Sequence, residues 1–278
     1  MRKLIFLIII FTFIHIHPTA SSASDSLTLW IHPYLPATEL TKRFAPLAEY
    51  LSEKLNRTVS IRIQQSYLSH QNLVGRDQAD IAYLGPISYV RVRDKYGPKP
   101  LLAKVEINGS PFFHGMIIAR KDSGINALTD LAGKSFAFGD PNSTMSHIVP
   151  RGMLRKAGIT TASLQKYDFL YSHHNVALAV LGDYFDAGGV KEEIFYEFEK
   201  KGLKMVAKSP PIPEHLFIVR STLSQELIEQ IRFHLLNIGK SPDKETILNS
   251  LKASVTNLVP VVDHDYDSLR DILKDFDI

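Results

Sequence analysis

The sequence predicts an α/β protein built as two lobes, and three observations carry that expectation. Extended and amphipathic helical segments alternate along the chain, the alternation runs through two successive series, and the last segments lead back toward the first. Leu27-Thr28-Leu29-Trp30-Ile31 reads as a first strand ending in the turn His32-Pro33-Tyr34-Leu35-Pro36. Residues 38–55 follow as a helix with Leu40, Phe44, Leu47, Leu51 and Leu55 on one face; Pro46 kinks it or marks its true start. Residues 58–63 alternate as a second strand, 66–75 form a short helix, and Ala79 to Tyr83 is a third strand closed by Gly85-Pro86. Residues 101–107 and 112–119 are extended runs on either side of Asn108-Gly109-Ser110-Pro111.

The second series starts with a short helix at 128–131 and a strand at 134–138. A helix begins near Ser143, a strand lies near 167–170, a helix covers 175–181, and 185–190 and 203–208 are strand-like. Residues 212–219 return as a strand, and helices at 223–238 and 243–252 rejoin the first lobe, with Gly239 as a stop for the earlier one. This pattern predicts mostly parallel sheets with helices on both faces, joined by two crossing hinge segments near 113–119 and 209–217. Residues 24–112 and 218–278 are then lobe 1, and 113–217 lobe 2. Ligands of open α/β sheets sit beyond the carboxyl ends of the strands, so a cleft between the lobes is the expected binding place. The same alternation also fits many enzymes.

Composition narrows the function. Met1-Arg2-Lys3, the apolar run from Leu4 to Ile14 and the small residues ending in Ser21-Ser22-Ala23 read as a cleavable secretory signal. An uncleaved anchor is the alternative, although the run is shorter than the ~20 apolar residues a bilayer requires. Cleavage near Ala23 predicts a periplasmic protein, and loss of Arg2 and Lys3 lowers the formal charge from +3 to +1. No dense Lys/Arg block suggests a nucleic-acid partner. The chain has no cysteine, which removes the usual lipid-anchoring residue and is compatible with an oxidising compartment.

The most informative stretch is Phe138-Gly139-Asp140-Pro141-Asn142-Ser143-Thr144-Met145-Ser146-His147, a strand end, a turn and a helix opened by hydroxyl residues. A helix start presents unpaired N–H groups with partial positive charge, and flanking hydroxyls add donors, so the pattern suits an oxyanion. Simple N-capping explains the same residues.

This segment resembles the phosphate/phosphite/phosphonate-binding family of ABC-transporter periplasmic substrate-binding proteins, whose hallmark reads Gly-Asp-Pro-x-Ser-Thr-Ser-Gly. Residues 79–90, 120–134 and the Ser172-His173-His174-Asn175 stretch with Gly182, Asp183, Asp186 and Ala187 are similar to further motifs of that family. The similarity extends from Leu27 to Gly239. It implies a type II periplasmic-binding-protein-like fold and capture of a small anionic ligand for an ABC permease; no cofactor and a monomeric state are expected. It also implies the site: Ser143 and Thr144 gripping the phosphoryl oxygens, His174 approaching from the second lobe, Asp186 meeting a ligand amine, and Tyr83 and Tyr34 facing the cleft from the first. Met145 and Ser146 depart from the hallmark. A thioether donates no hydrogen bond, so either Ser146 supplies the missing donor or the ligand is not a phosphonate.

His114, His147, His173 and His174 fall in segments that reach the cleft, but their spacing matches no established zinc pattern, and no metal is expected. His174 also reads as a capping or core histidine, and Asp186 as a turn-capping acid. Glu214-His215 reads as a pair near the hinge. Two other functions compete: a ligand-binding partner of a membrane sensor kinase or chemoreceptor, and an exported enzyme using His174 and Asp186. No nucleophile elbow, P-loop or dinucleotide fingerprint supports the enzyme.

Overall fold

The computed structural model describes residues 26–274, so the expected secretory signal, with cleavage expected near Ala23, lies outside the described residues. In order, the chain forms β1 (Leu27–Ile31), α1 (Ala37–Leu55), β2 (Val59–Ile63), α2 (Tyr67–Gly75), β3 (Ile81–Leu84), α3 (Pro86–Tyr96), β4 (Leu101–Ile107), β5 (Phe112–Phe113) and β6 (Gly115–Arg120). Next come β7 (Ser135–Phe138), a π-helical turn (Thr144–Ile148), α4 (Val149–Lys156), β8 (Lys166–Phe169), α5 (His173–Leu181), β9 (Ala187–Lys191), α6 (Glu192–Glu199) and β10 (Leu203–Lys208). The return consists of β11 (Ile212–Pro213), β12 (Leu216–Val219), α7 (Gln225–Leu236), α8 (Lys244–Leu251), β13 (Val255–Val259) and α9 (Asp267–Lys274). No helix among the described residues is long and apolar enough to cross a membrane.

Two sheets organise two lobes. The first has strand order β13-β4-β12-β3-β1-β2, and the second β10-β6-β9-β7-β8. Parallel pairing holds where strand and helix simply alternate, in β2-β1-β3 and β8-β7-β9. The strands that carry the chain to and from the crossings run antiparallel: β12 against β3 and β4, and β6 against β9 and β10. The sheets are therefore mixed rather than mostly parallel, because a chain that returns through a hinge enters its sheet in the opposite direction. At the crossings, β5 and β11 pair with each other, Ile212 opposite Phe113. The expected return strand at 212–219 is thus two strands, one in the hinge and one in the first sheet.

The apolar spacing of α1 buries Leu40, Phe44, Leu47 and Leu51 against the first sheet, and Pro46 sits inside the helix rather than at its start. The helix ends at Asn56, whose left-handed backbone (φ 50°) lets its N–H reach the Glu53 carbonyl. Gly239 is no such stop: α7 ends at Asn237, and Gly239 lies in the 3₁₀ turn that follows.

The strand starts are tied by matching clasps. In the first sheet, Asp80 takes the N–H and hydroxyl of Thr28 at 2.8 and 2.6 Å. In the second, Asp186 takes the N–H and hydroxyl of Ser135 at 2.8 and 2.7 Å.

The lobes touch on both flanks. On one, Ile87 and Tyr89 of α3, Met145, Ile148 and Val149 of the second lobe, and Tyr266 and Leu269 around the start of α9 form one buried apolar cluster. Beside it, Arg91 bonds Asn142 at 2.6 Å. On the other flank, Lys252 after α8 reaches Glu193 of α6 at 2.5 Å, and Lys191 holds the same carboxylate oxygen at 2.9 Å. Burial pushes Glu193 up, but the two ammonium groups hold it down at about 2.

Candidate functional site

The carboxyl ends of β1 and β3 and the start of β12 share one edge of the first sheet, with Leu216 opposite Leu84. The residues gathered there are rings. His32 follows β1, Tyr83 lies in β3, His215 precedes β12, and Tyr67 and His70 come from the start of α2. His32 stacks on Tyr34 with centroids 4.8 Å apart, meets Tyr67 edge-on at 5.2 Å, and lies 5.1 Å from His215. Tyr83 stacks on His215 at 5.4 Å and 16°. Burial pushes Tyr34 up to about 12 and raises Tyr67 and Tyr83 as well, so all three phenols stay neutral and keep a proton to donate.

His32 is only 2% exposed, and neither ring nitrogen has a partner. Burial, then His215 and His70, hold it well below the usual imidazole range. Burial likewise holds His70 at about 4. His215 is fixed differently: its Nδ1 donates to the Glu214 carboxylate at 2.9 Å, and the same oxygen accepts the His215 backbone N–H at 3.1 Å.

The start of α3 sits beside these rings. Gly85 precedes the helix and Pro86 occupies its first position, where a missing N–H costs nothing. A Cβ on Gly85 would lie 3.4 Å from His215 Nε2 and 3.5 Å from His32 Cε1, ordinary contact distances that put the helix start beside both imidazoles.

Lobe 2 faces this edge with its own helix start. Ser143 caps the π-helical turn, its hydroxyl accepting the Ser146 N–H at 3.2 Å. Thr144 accepts the N–H of Ile87, from the first turn of α3, at 3.2 Å, bridging the two lobes. Each hydroxyl takes a main-chain N–H and so retains its own proton for an acceptor. His173, the first residue of α5, accepts the Lys191 N–H at Nδ1 (3.1 Å). Burial, then Lys191, hold its ring at about 3.

Of the residues expected from sequence, Ser143, Thr144, Tyr34 and Tyr83 come together here. Three do not. His174 is 56% exposed and bonds Glu197 of α6 at 3.1 Å; successive residues of a helix point about 100° apart, so at the start of α5 it is His173 that faces the cleft. Asp186 lies at the opposite end of β9, a strand's length of ~16 Å from the binding edge. Burial would raise its pKa, but the two Ser135 bonds hold it below the ordinary value, making it a structural clasp. Ser146 is 1% exposed with an unpartnered hydroxyl turned toward Gly139, where a Cβ would come within 2.1 Å of Oγ. Met145, which stands where the hallmark has a hydroxyl, joins the apolar interlobe cluster.

Sequence reasoning put His173 in a segment that reaches the cleft and paired Glu214 with His215 near the hinge, a pair the structure contains, but gave neither histidine a ligand role; it missed His32, Tyr67 and the whole of α3. The one available signal was Gly85-Pro86, which reads equally as a strand end and as a helix start. Among the described residues, no group of three or more His, Cys, Asp or Glu side chains is arranged to hold a metal ion.

Comparison with known proteins places this architecture. The family model for the periplasmic substrate-binding protein of phosphonate ABC transporters matches residues 29–266. The chain is 28% identical over 238 residues to the phosphonates-binding periplasmic protein of Escherichia coli, covering 80% of this chain and 70% of that protein. It is 26% identical over 279 residues to the phosphate-import protein PhnD of Mycolicibacterium smegmatis, covering 91% of this chain and 87% of that one. Its fold matches PhnD1 of Prochlorococcus marinus, solved in complex with methylphosphonate, with a TM-score of 0.78 at 20% identity, covering 91% of this chain and 98% of that one.

Proposed function

The chain belongs to this family of periplasmic phosphonate-binding proteins of ABC transporters, and from that premise we propose that it captures a small phosphorus oxyanion between its lobes. Methylphosphonate, phosphite and phosphate exemplify the class. The protein works as an exported monomer that hands its ligand to a membrane permease, its signal removed near Ala23. The observation that carries the reading is the meeting of two helix starts across the cleft, spanned by the Ile87–Thr144 bond. Both helix starts offer partial positive charge, and the hydroxyls and neutral phenols around them offer donors without a buried cation.

The anion takes the free protons of Ser143 and Thr144 together with those of Tyr34, Tyr67 and Tyr83. Bending at the paired β5 and β11 opens and closes the cleft, and closure strengthens each contact by excluding water. The ligand is bound through hydrogen bonds and released to the permease unchanged.

Calorimetry with methylphosphonate, phosphite and phosphate tests the assignment. Replacing both Ser143 and Thr144 by Ala removes two charge-assisted bonds and weakens binding by about a hundredfold or more, while the protein still folds despite losing a cap and the bond to Ile87. Unchanged affinity in that double variant overturns the site.

A further inference from the structure

Two histidines, one on each lobe, have opposite hydrogen-bonding polarity. His173 accepts the Lys191 N–H at Nδ1 (3.1 Å), so its neutral ring carries the proton on Nε2 and presents a donor. His215 gives its Nδ1 proton to Glu214 at 2.9 Å. A carboxylate has no proton to return, so in its uncharged form the His215 ring presents a lone pair at Nε2. That nitrogen lies toward Gly85 at the start of α3, where the oxyanion is expected, and bonds no other described group. The neighbouring phenols, the hydroxyls of Ser143 and Thr144, and the α3 amides are donors. Glu214 is itself 4% exposed and committed to His215, so its carboxylate fixes the ring.

We propose that His215, oriented by Glu214, determines specificity: its Nε2 accepts the hydroxyl proton of a singly protonated phosphorus oxyanion and so selects phosphonate, phosphite and phosphate over sulfonate and sulfate. This rests on the function proposed above and adds the chemical class that the site refuses. A sulfonate has nearly the same shape but no proton at neutral pH. It would set an oxygen lone pair against the Nε2 lone pair, or require His215 to take a proton from solvent.

The test is a paired titration with methylphosphonate and methanesulfonate at neutral pH, together with nitrogen NMR of the histidine rings. The wild-type protein favours methylphosphonate by about a hundredfold or more, the worth of one satisfied against one opposed charge-assisted bond. Nitrogen shifts place the proton on Nδ1 of His215 and on Nε2 of His173. His215→Gln, whose amide can donate, brings the two affinities to within about tenfold of each other. His215→Phe retains the ring stacked on Tyr83 and loses methylphosphonate affinity; wild-type affinity in that variant would reduce His215 to a packing residue and overturn the inference. Equal binding of both ligands by the wild-type protein, or a proton on Nε2 of His215 in the free protein at neutral pH, overturns it alone. Failure of every phosphorus oxyanion to bind overturns the proposed function and this inference with it.

Discussion

Lobe 1 and lobe 2 begin their sheets alike and end them differently. Asp80 and Asp186 each clasp a hydroxyl residue at the start of a neighbouring strand, but Asp80 also receives Arg220 Nε at 2.8 Å from the residue after β12. Its clasp thereby ties in the returning chain as well as β1. At the carboxyl edge, lobe 1 passes from β3 through Gly85 directly into α3 and surrounds the helix start with rings. Lobe 2 passes from β7 through Gly139 and a longer loop into a π-helical turn edged by hydroxyls. One end of each sheet is thus devoted to holding strands together and the other to the ligand, which is why an acid at a strand start is a poor candidate for binding.

Removing the clasps tests that division most strongly. Asp80→Ala strands Arg220 and Thr28 together and lowers stability by roughly 3–4 kcal/mol, whereas Asp186→Ala lowers it by about 1–2 kcal/mol. Denaturant melts read both, and a larger loss at Asp186 would break the comparison. Neither change, short of unfolding, should alter ligand affinity.

Each lobe also buries a histidine held at about 4, His70 in the first and His147 in the second. Burial is the main cause in both. Because these folded-state values lie below the unfolded value of 6.5, the unfolded chain binds more protons. Stability is therefore full above pH 6.5 and falls as pH drops toward 4, by up to about 1.4 kcal/mol per pH unit for each ring. His70→Gln or His147→Gln flattens the pH dependence of the melt; an unchanged slope in both would show that neither ring is held neutral.

The two strand-end glycines give a smaller contrast. Gly139→Ala drives a methyl into Ser146 and costs about 1–2 kcal/mol, most of it recovered by adding Ser146→Gly. Gly85→Ala meets only ring atoms at ordinary contact distance, so it leaves the melt nearly unchanged and weakens ligand binding. Ser146→Ala is the smallest effect, a gain of up to about 1 kcal/mol from removing an unpartnered hydroxyl.

Legibility in the sequence followed the range of the interactions. The strands at 27–31, 101–107 and 203–208 were readable to the residue because apolar runs between turn signals are local. α3 was hidden because Arg91, Arg93, Asp94 and Lys95 break its apolar rhythm, and α6 because it follows β9 with no intervening loop. Strand direction was hidden too, since it depends on where the chain returns. The hydroxyl helix start at Ser143 and Thr144 was legible as one contiguous segment. The ring cluster was not: residues 32, 67, 83 and 215 meet only through strand order. The exchange of His174 for His173 was an error of helical phase, decided by which neighbour faces β9.

The carboxylate of Glu193, shared by Lys191 and Lys252, bears on the balance between the open and shut molecule. Lys252 and Glu193 belong to different lobes, so separation of the lobes on this flank parts them. Lys191 stays with Glu193, so the carboxylate keeps a cation in either state and opening forfeits one partly exposed ion pair, a small cost that added salt reduces.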